Sequence, residues 1–117
     1  MHTPVNHVHL IGSLTTEPAI ITLANGHKMA RFAITTRELR TGPEGKIETE
    51  NQWHKIVALG KWVQVLEEFA EKGLQLAIEG KLRSRFFKDK EGRNQYTTEI
   101  EVKDLVLLGH HHLAQSA

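Results

Sequence analysis

From Leu74 to Phe87 the chain alternates with a period of two, with Leu74, Leu76, Ile78 and Leu82 on one side and Glu79, Lys81, Arg83, Arg85 and Phe87 on the other. An extended strand sorts odd from even positions in this way, so one face is assigned to a core and the other is basic and ends in a ring. The run then enters Lys88-Asp89-Lys90-Glu91-Gly92-Arg93-Asn94, polar and turn-forming around a glycine, and resumes at Tyr96-Thr97-Thr98-Glu99-Ile100. The pattern predicts a long hairpin that carries cations and an aromatic ring into solvent. Single-stranded nucleic acid offers what such an arm would hold, phosphates and unstacked bases together.

Other segments give further strands. Val5 to Leu14 places Val8, Leu10, Gly12 and Leu14 against His7, His9, Ile11 and Ser13, with Gly12 marking a bulge or a sharp bend. Glu17-Pro18 breaks the run, Ala19 to Leu23 is extended, and Asn25-Gly26 predicts a hairpin turn into Lys28 to Arg37. There Ala30, Phe32 and Ile34 share a face opposite Arg31, Ala33, Thr35 and Arg37. Leu39 to Asn51, with Gly42, Pro43 and Gly45 and no period, is expected to be a long mobile loop. In Trp53 to Leu59 both faces hold apolar residues, so the exposed side stays open. Gly60 to Gly73 is the one convincing helix, with an apolar stripe of Trp62, Val65, Leu66 and Phe69 and Gly73 as its stop.

The outcome is all-β: five strands with one α-helix between the third and the fourth, and a protruding hairpin between the fourth and the fifth. That is the layout of an OB-fold barrel, a scaffold whose open face and loops bind oligonucleotides or oligosaccharides. With 117 residues there is room for one domain, taken as 1–109, followed by a tail at 110–117, His-His-His-Leu-Ala-Gln-Ser-Ala, with nothing to make it fold.

With 15 Lys and Arg against 14 Asp and Glu the net charge is +1, so a polyanion has to be held by local placement of cations. Arg31 and Lys55 are candidates from their strand faces. There are no cysteines, which excludes disulfides and thiolate metal sites and fits a reducing cytoplasm. No leader or bilayer-length apolar run is expected, and so no membrane partner. No paired carboxylates with ligand spacing, phosphate-cradling glycine loop or activated nucleophile is recognisable, so no catalytic residue and no cofactor is assigned. His54 is read as structural or interfacial. His7 and His9 have a spacing that could hold a metal, but no further ligand is identifiable, and His110 to His112 offer adventitious binding only; no metal site is assigned.

The stretches VNHVHLIGSLTTEP, ANG, WHKIVALGK, EKG, LAIEGKLRSRFF and YTTEIEV, in this order, resemble the bacterial single-stranded DNA-binding protein family from Val5 to Gly109. The resemblance implies an OB-fold, a homotetramer (with a dimer as the other state), sequence-tolerant binding of single-stranded DNA, and roles in replication, recombination and repair. It assigns Trp53 and Phe87 as stacking rings, Arg83 and Arg85 as the family's R-x-R, and Lys61 and Lys72 as helix-flanking phosphate contacts. Leu39 and Leu59 stand where many members have aromatic residues. Phe86 can compensate in part, although continued alternation turns it to the opposite face from Phe87. Glu44, Glu48 and Glu50 are expected to work against phosphate binding in the long loop. The acidic tip of the family is not found at Ala117, which puts recruitment of replication and repair enzymes in doubt. Two other classes stay open: an interaction protein similar to the primosomal OB-fold protein, with weak DNA binding, and a metal-dependent nuclease or hydrolase.

Overall fold

Leu74, Leu76 and Ile78 are buried side chains of one barrel core, as their alternation predicts. The computed structural model describes residues 5–110. In chain order it contains β1 (Val8–Leu14), β2 (Ala19–Thr22), β3 (Lys28–Thr41), β4 (Ile47–Leu59), α1 (Lys61–Phe69), β5 (Leu74–Lys88) and β6 (Asn94–His110). The sheet order is β1-β5-β6-β4-β3-β2, and an additional β1–β3 pairing closes it. Leaving aside the four-residue edge strand β2, the five long strands are the expected OB-fold barrel, with the helix between the third and the fourth of them.

Two glycines allow the closure. β1 pairs with β5 through Ser13↔Gln75 and with β3 through Ser13↔Thr35 and Leu14↔Ile34. A Cβ at Gly12 would lie 2.4 Å from the Thr35 carbonyl oxygen, so a bare backbone is needed where β1 passes from one partner to the other. This is the bend expected at Gly12. Gly80 has the same role at the register shift between β5 and β6, where a Cβ would meet the Glu101 carbonyl oxygen at 2.2 Å. The opposite seam is a short parallel pairing of β4 with β6, Ile56↔Ile100 and Val57↔Glu101.

The core brings Leu14, Ala30, Phe32, Ile34, Ile56 and Ala58 together with Val63 and Leu66 of the helix. The helix is shorter than the stretch Gly60 to Gly73 suggests. Ala70 leaves helical geometry, its N–H bonding to the Leu66 carbonyl oxygen at 2.9 Å, and a turn from Glu71 to Leu74 leads into β5. The apolar stripe is also rotated: Val63 is buried, Trp62 packs partly buried against the core, and Phe69 is exposed, because the face turned to the core runs through Val63, Leu66 and Ala70 and leaves Phe69 to one side.

The segment expected to be a mobile loop, Leu39 to Asn51, is instead the outer half of the β3–β4 hairpin, paired continuously from Met29↔Leu59 to Thr41↔Ile47. A turn bonded from the Gly42 N–H to the Lys46 carbonyl closes it at 2.7 Å. Beyond Thr36 this arm has no core beneath it and its β3 residues are all exposed, so no apolar period marks it as a strand. Its order comes from the backbone ladder and from cross-strand side chains such as Arg40 Nη1 and Glu50 Oε2, 2.5 Å apart.

The second arm, β5–β6, leaves the barrel in the same manner. Leu82, expected on the core side, is exposed because β5 has already passed the barrel rim there. Asn6 anchors that point, accepting from the Leu82 N–H at 2.8 Å and donating to its carbonyl at 3.0 Å. At the tip, Asp89 Oδ1 accepts from the backbone N–H groups of Glu91 and Arg93, both at 2.9 Å. β6 continues through His110, so the first residue of the expected tail ends a strand; residues 111–117 lie outside the described residues. No helix among the described residues is long and apolar enough to cross a membrane.

Candidate nucleic-acid interface

Alternation carries one residue in two of β3, β4, β5 and β6 onto a common outer face of the barrel. Arg31 and Ala33 come from β3, Lys55 from β4, Arg85 and Phe87 from β5, and Thr97 and Glu99 from β6; together they line a groove of about 380 Å³. The open question about Trp53 to Leu59 is thereby answered. Ile56 and Ala58 point into the core, and Trp53, Lys55 and Leu59 point outward.

Phe87 lies along the groove 41% exposed, and the Arg85 guanidinium carbon sits 5.3 Å from its ring centroid. A cation held over the face of a ring presents a flat surface and a positive charge side by side, which suits a base and its phosphate. Trp53 shares the outer face two residues from Lys55 and is 67% exposed, with its backbone paired to Thr35. It is free to stack but does not line the groove with Phe87. Arg83 lines a smaller neighbouring groove of about 140 Å³ with Arg31, Arg85, Val57 and Leu59.

Phe86 faces the other side of the β5–β6 arm, as alternation requires, 6.0 Å from the Tyr96 ring centroid. Phe86 and Tyr96 are both exposed, a second aromatic surface that the run of single letters around Tyr96 did not advertise. Lys61 opens the helix with its Nζ 4.8 Å from the Trp62 ring centroid, and Lys72 is exposed in the turn before β5; neither lines either groove. Of the two leucines at family aromatic positions, Leu39 is exposed on the β3–β4 arm and Leu59 borders the smaller groove.

Two acids inside the face were not singled out in the sequence. Glu99 is only 8% exposed and lies between two guanidinium groups, with Oε1 3.5 Å from Arg85 Nε and Oε2 3.8 Å from Arg31 Nη2. Glu101 Oε2 lies 2.5 Å from Arg83 Nη1 and pushes the Arg83 pKa further up. Lys55 donates to Thr97 Oγ1 at 3.1 Å, whereas Arg31 Nε is buried without a hydrogen-bond partner. Arg31, Arg83 and Arg85 are thus pre-positioned by carboxylates that also neutralise part of their charge. Alternation along Gln95, Thr97, Glu99 and Glu101 was the available signal, since it puts these acids on the face of Arg83 and Arg85. His54, on the inner side of β4, lies with Nε2 2.9 Å from Thr36 Oγ1.

The Single-strand binding protein family model matches residues 5–108 of this sequence. The chain belongs to that family. Within it, the sequence is 36% identical over 106 residues to Single-stranded DNA-binding protein 1 of Xylella fastidiosa, covering 90% of this chain and 78% of that protein. Among solved structures it superimposes on a Plasmodium falciparum SSB in complex with ssDNA, with a TM-score of 0.83 at 26% identity over 92% of this chain and 98% of that one. A deletion mutant of the single-stranded DNA binding protein from Thermus aquaticus shares the fold, with a TM-score of 0.81 at 20% identity, covering 92% of this chain and 52% of that one.

Proposed function

We propose that this family member binds single-stranded DNA without reading its sequence, by stacking bases on Phe87 and Trp53 while Arg31, Lys55, Arg83 and Arg85 neutralise phosphates. The observation that carries this reading is the groove across β3, β4, β5 and β6, in which three cationic side chains surround a ring already paired with a guanidinium. Stacking accepts every base, and phosphate contacts carry no sequence information. Lys61 and Lys72 belong to the proposed path as outlying contacts. Phe86, with Tyr96, would serve a strand that wraps around the arm.

The role is binding rather than catalysis: it covers single strands exposed in the cytoplasm during replication, recombination and repair. The structural likeness to an SSB holding ssDNA supports this over an interaction protein of the primosomal type. A homotetramer is the proposed assembly, supported by exposed Ile11, Val106 and Leu108 on the outer sides of β1 and β6. The test is a titration of tryptophan fluorescence with oligo-dT at several salt concentrations, beside a mass determination in solution. Quenching, with log affinity falling linearly as log salt rises, is expected. No quenching at low salt, or cleavage of the oligonucleotide with added divalent metal, would overturn the reading.

A further inference from the structure

His9 is the second residue of β1 and His7 lies just before the strand, and the third member of their group, Glu79, lies 70 residues from His9 in sequence. The β1–β5 register sets His9 directly opposite Glu79, so that His9 Nε2 lies 3.1 Å from Glu79 Oε2. His7 Nδ1 lies 3.8 Å from Glu79 Oε1, and the two imidazole centroids are 4.8 Å apart. One donor atom from each residue falls within 4.8 Å of the other two. Two imidazoles and one carboxylate thus converge from adjacent strands on the outer side of the barrel, and none of the three lines the nucleic-acid groove. No further ligand could be identified from the sequence, because only the register shows that Glu79 is in place.

We propose that His7, His9 and Glu79 form a three-ligand site for a late first-row divalent metal ion, with zinc as the reference case. Tetrahedral ligation at about 2.0–2.2 Å needs donor atoms about 3.3 Å apart, and the donors of exposed His7 and His9 and half-buried Glu79 lie within 4.8 Å of one another. Imidazole selects such ions over magnesium and calcium, which prefer oxygen donors. Asp104, paired with Glu79 in the β5–β6 register, lines the same groove and adds a second negative charge beside the ion. Three protein ligands leave a fourth position open. It borders a groove of about 490 Å³ lined by Leu10, Ile11, Ala77 and Val106, of which Ile11 and Val106 belong to the face proposed for assembly, so the fourth ligand comes from a water or from a second copy of the chain.

The test uses the full chain carrying His111→Ala and His112→Ala, so that the terminal histidine tract does not compete. Zinc binding is followed by calorimetry, and cobalt binding by its visible absorption, with magnesium as the control ion. One zinc per chain and a cobalt spectrum of low-coordinate type are expected. His9→Ala and Glu79→Gln in the same background should each weaken zinc binding by at least about tenfold, the scale on which even outer partners of metal ligands act. Both variants should keep the far-ultraviolet spectrum and the oligo-dT affinity of the parent. Equal zinc affinity in parent and variants, or magnesium binding as tightly as zinc, would overturn the proposal.

Discussion

Glu99 faces Arg85 across the centre of the groove, Oε1 to Nε at 3.5 Å, while its other oxygen lies 3.8 Å from Arg31. The carboxylate sits where an incoming phosphate would meet the same two guanidinium groups, so phosphate binding competes with an internal ion pair. Replacing Glu99 with Gln keeps the shape and removes the charge. Affinity for oligo-dT should rise several-fold, and the slope of log affinity against log salt should steepen by about 0.7 for each guanidinium released to DNA. Salt-dependent anisotropy titrations with a labelled oligonucleotide check both quantities; an unchanged slope would mean the two arginines do not meet the backbone.

Ring removal separates the two sides of the β5–β6 arm. Phe87→Ala and Trp53→Ala should each cost about 1–3 kcal/mol of binding, the usual range for a stacked base. Phe86→Ala, on the reverse side beside Tyr96, should cost less with oligonucleotides too short to wrap around the arm and more with longer ones. The length series, measured by the same anisotropy assay, shows whether DNA visits both faces.

Acid should loosen the β3–β4 arm before the barrel. The hydrogen bond from Arg40 holds the Glu50 carboxyl below its ordinary value of 4.5. Because the folded pKa is the lower one, this stabilisation is complete above the unfolded value and is lost as pH falls through the folded one. Carboxyl NMR should place the Glu50 midpoint below 4.5 in the parent and return it towards that value in Arg40→Ala. Amide exchange across the arm should quicken over the same acidic interval.

Closure of the barrel depends on missing side-chain atoms at two points. Gly12→Ala and Gly80→Ala each drive a Cβ against a backbone carbonyl oxygen, at 2.4 Å and 2.2 Å, which no side-chain rotation relieves. Each should lower the unfolding free energy by about 1–3 kcal/mol, the cost of forced overpacking. Urea melts measure it, and Gly45→Ala, with nothing within 4 Å of its Cβ but a positive φ, reports backbone strain without the clash.

The sequence made the barrel legible wherever a strand has a core beneath it. Ala30, Phe32 and Ile34 alternate because one side of β3 is dry, and Arg31 is placed outward by the same rule. Past the rim that rule has nothing to act on. Leu39 to Asn51 therefore resembled a loop although Leu39 to Thr41 pair with Ile47 to Thr49, and Leu82 was assigned to a core that ends before it. Helix spacing placed Leu66 correctly but could not show that the core-facing side is centred on Val63, Leu66 and Ala70, which is why Phe69 was put on the apolar stripe although it is exposed. Arg85 and Phe87 were readable as a cationic and aromatic pair on one strand. The position of Glu99 among them, and of Glu79 beside His9, depends on register between distant strands, which is set by Gly80, by the turns and by the closure of the sheet.

The barrel's two hairpin halves meet at Ile56↔Ile100 and Val57↔Glu101, a seam of two parallel pairs, and the groove runs over it from Lys55 to Thr97. On the proposed path, a polynucleotide held by Lys55 and Arg31 on one bank and by Arg85 on the other would act as a clasp across that seam. Occupancy and barrel integrity then rise together, and the heat needed to open the protein becomes a measure of how much strand it is holding.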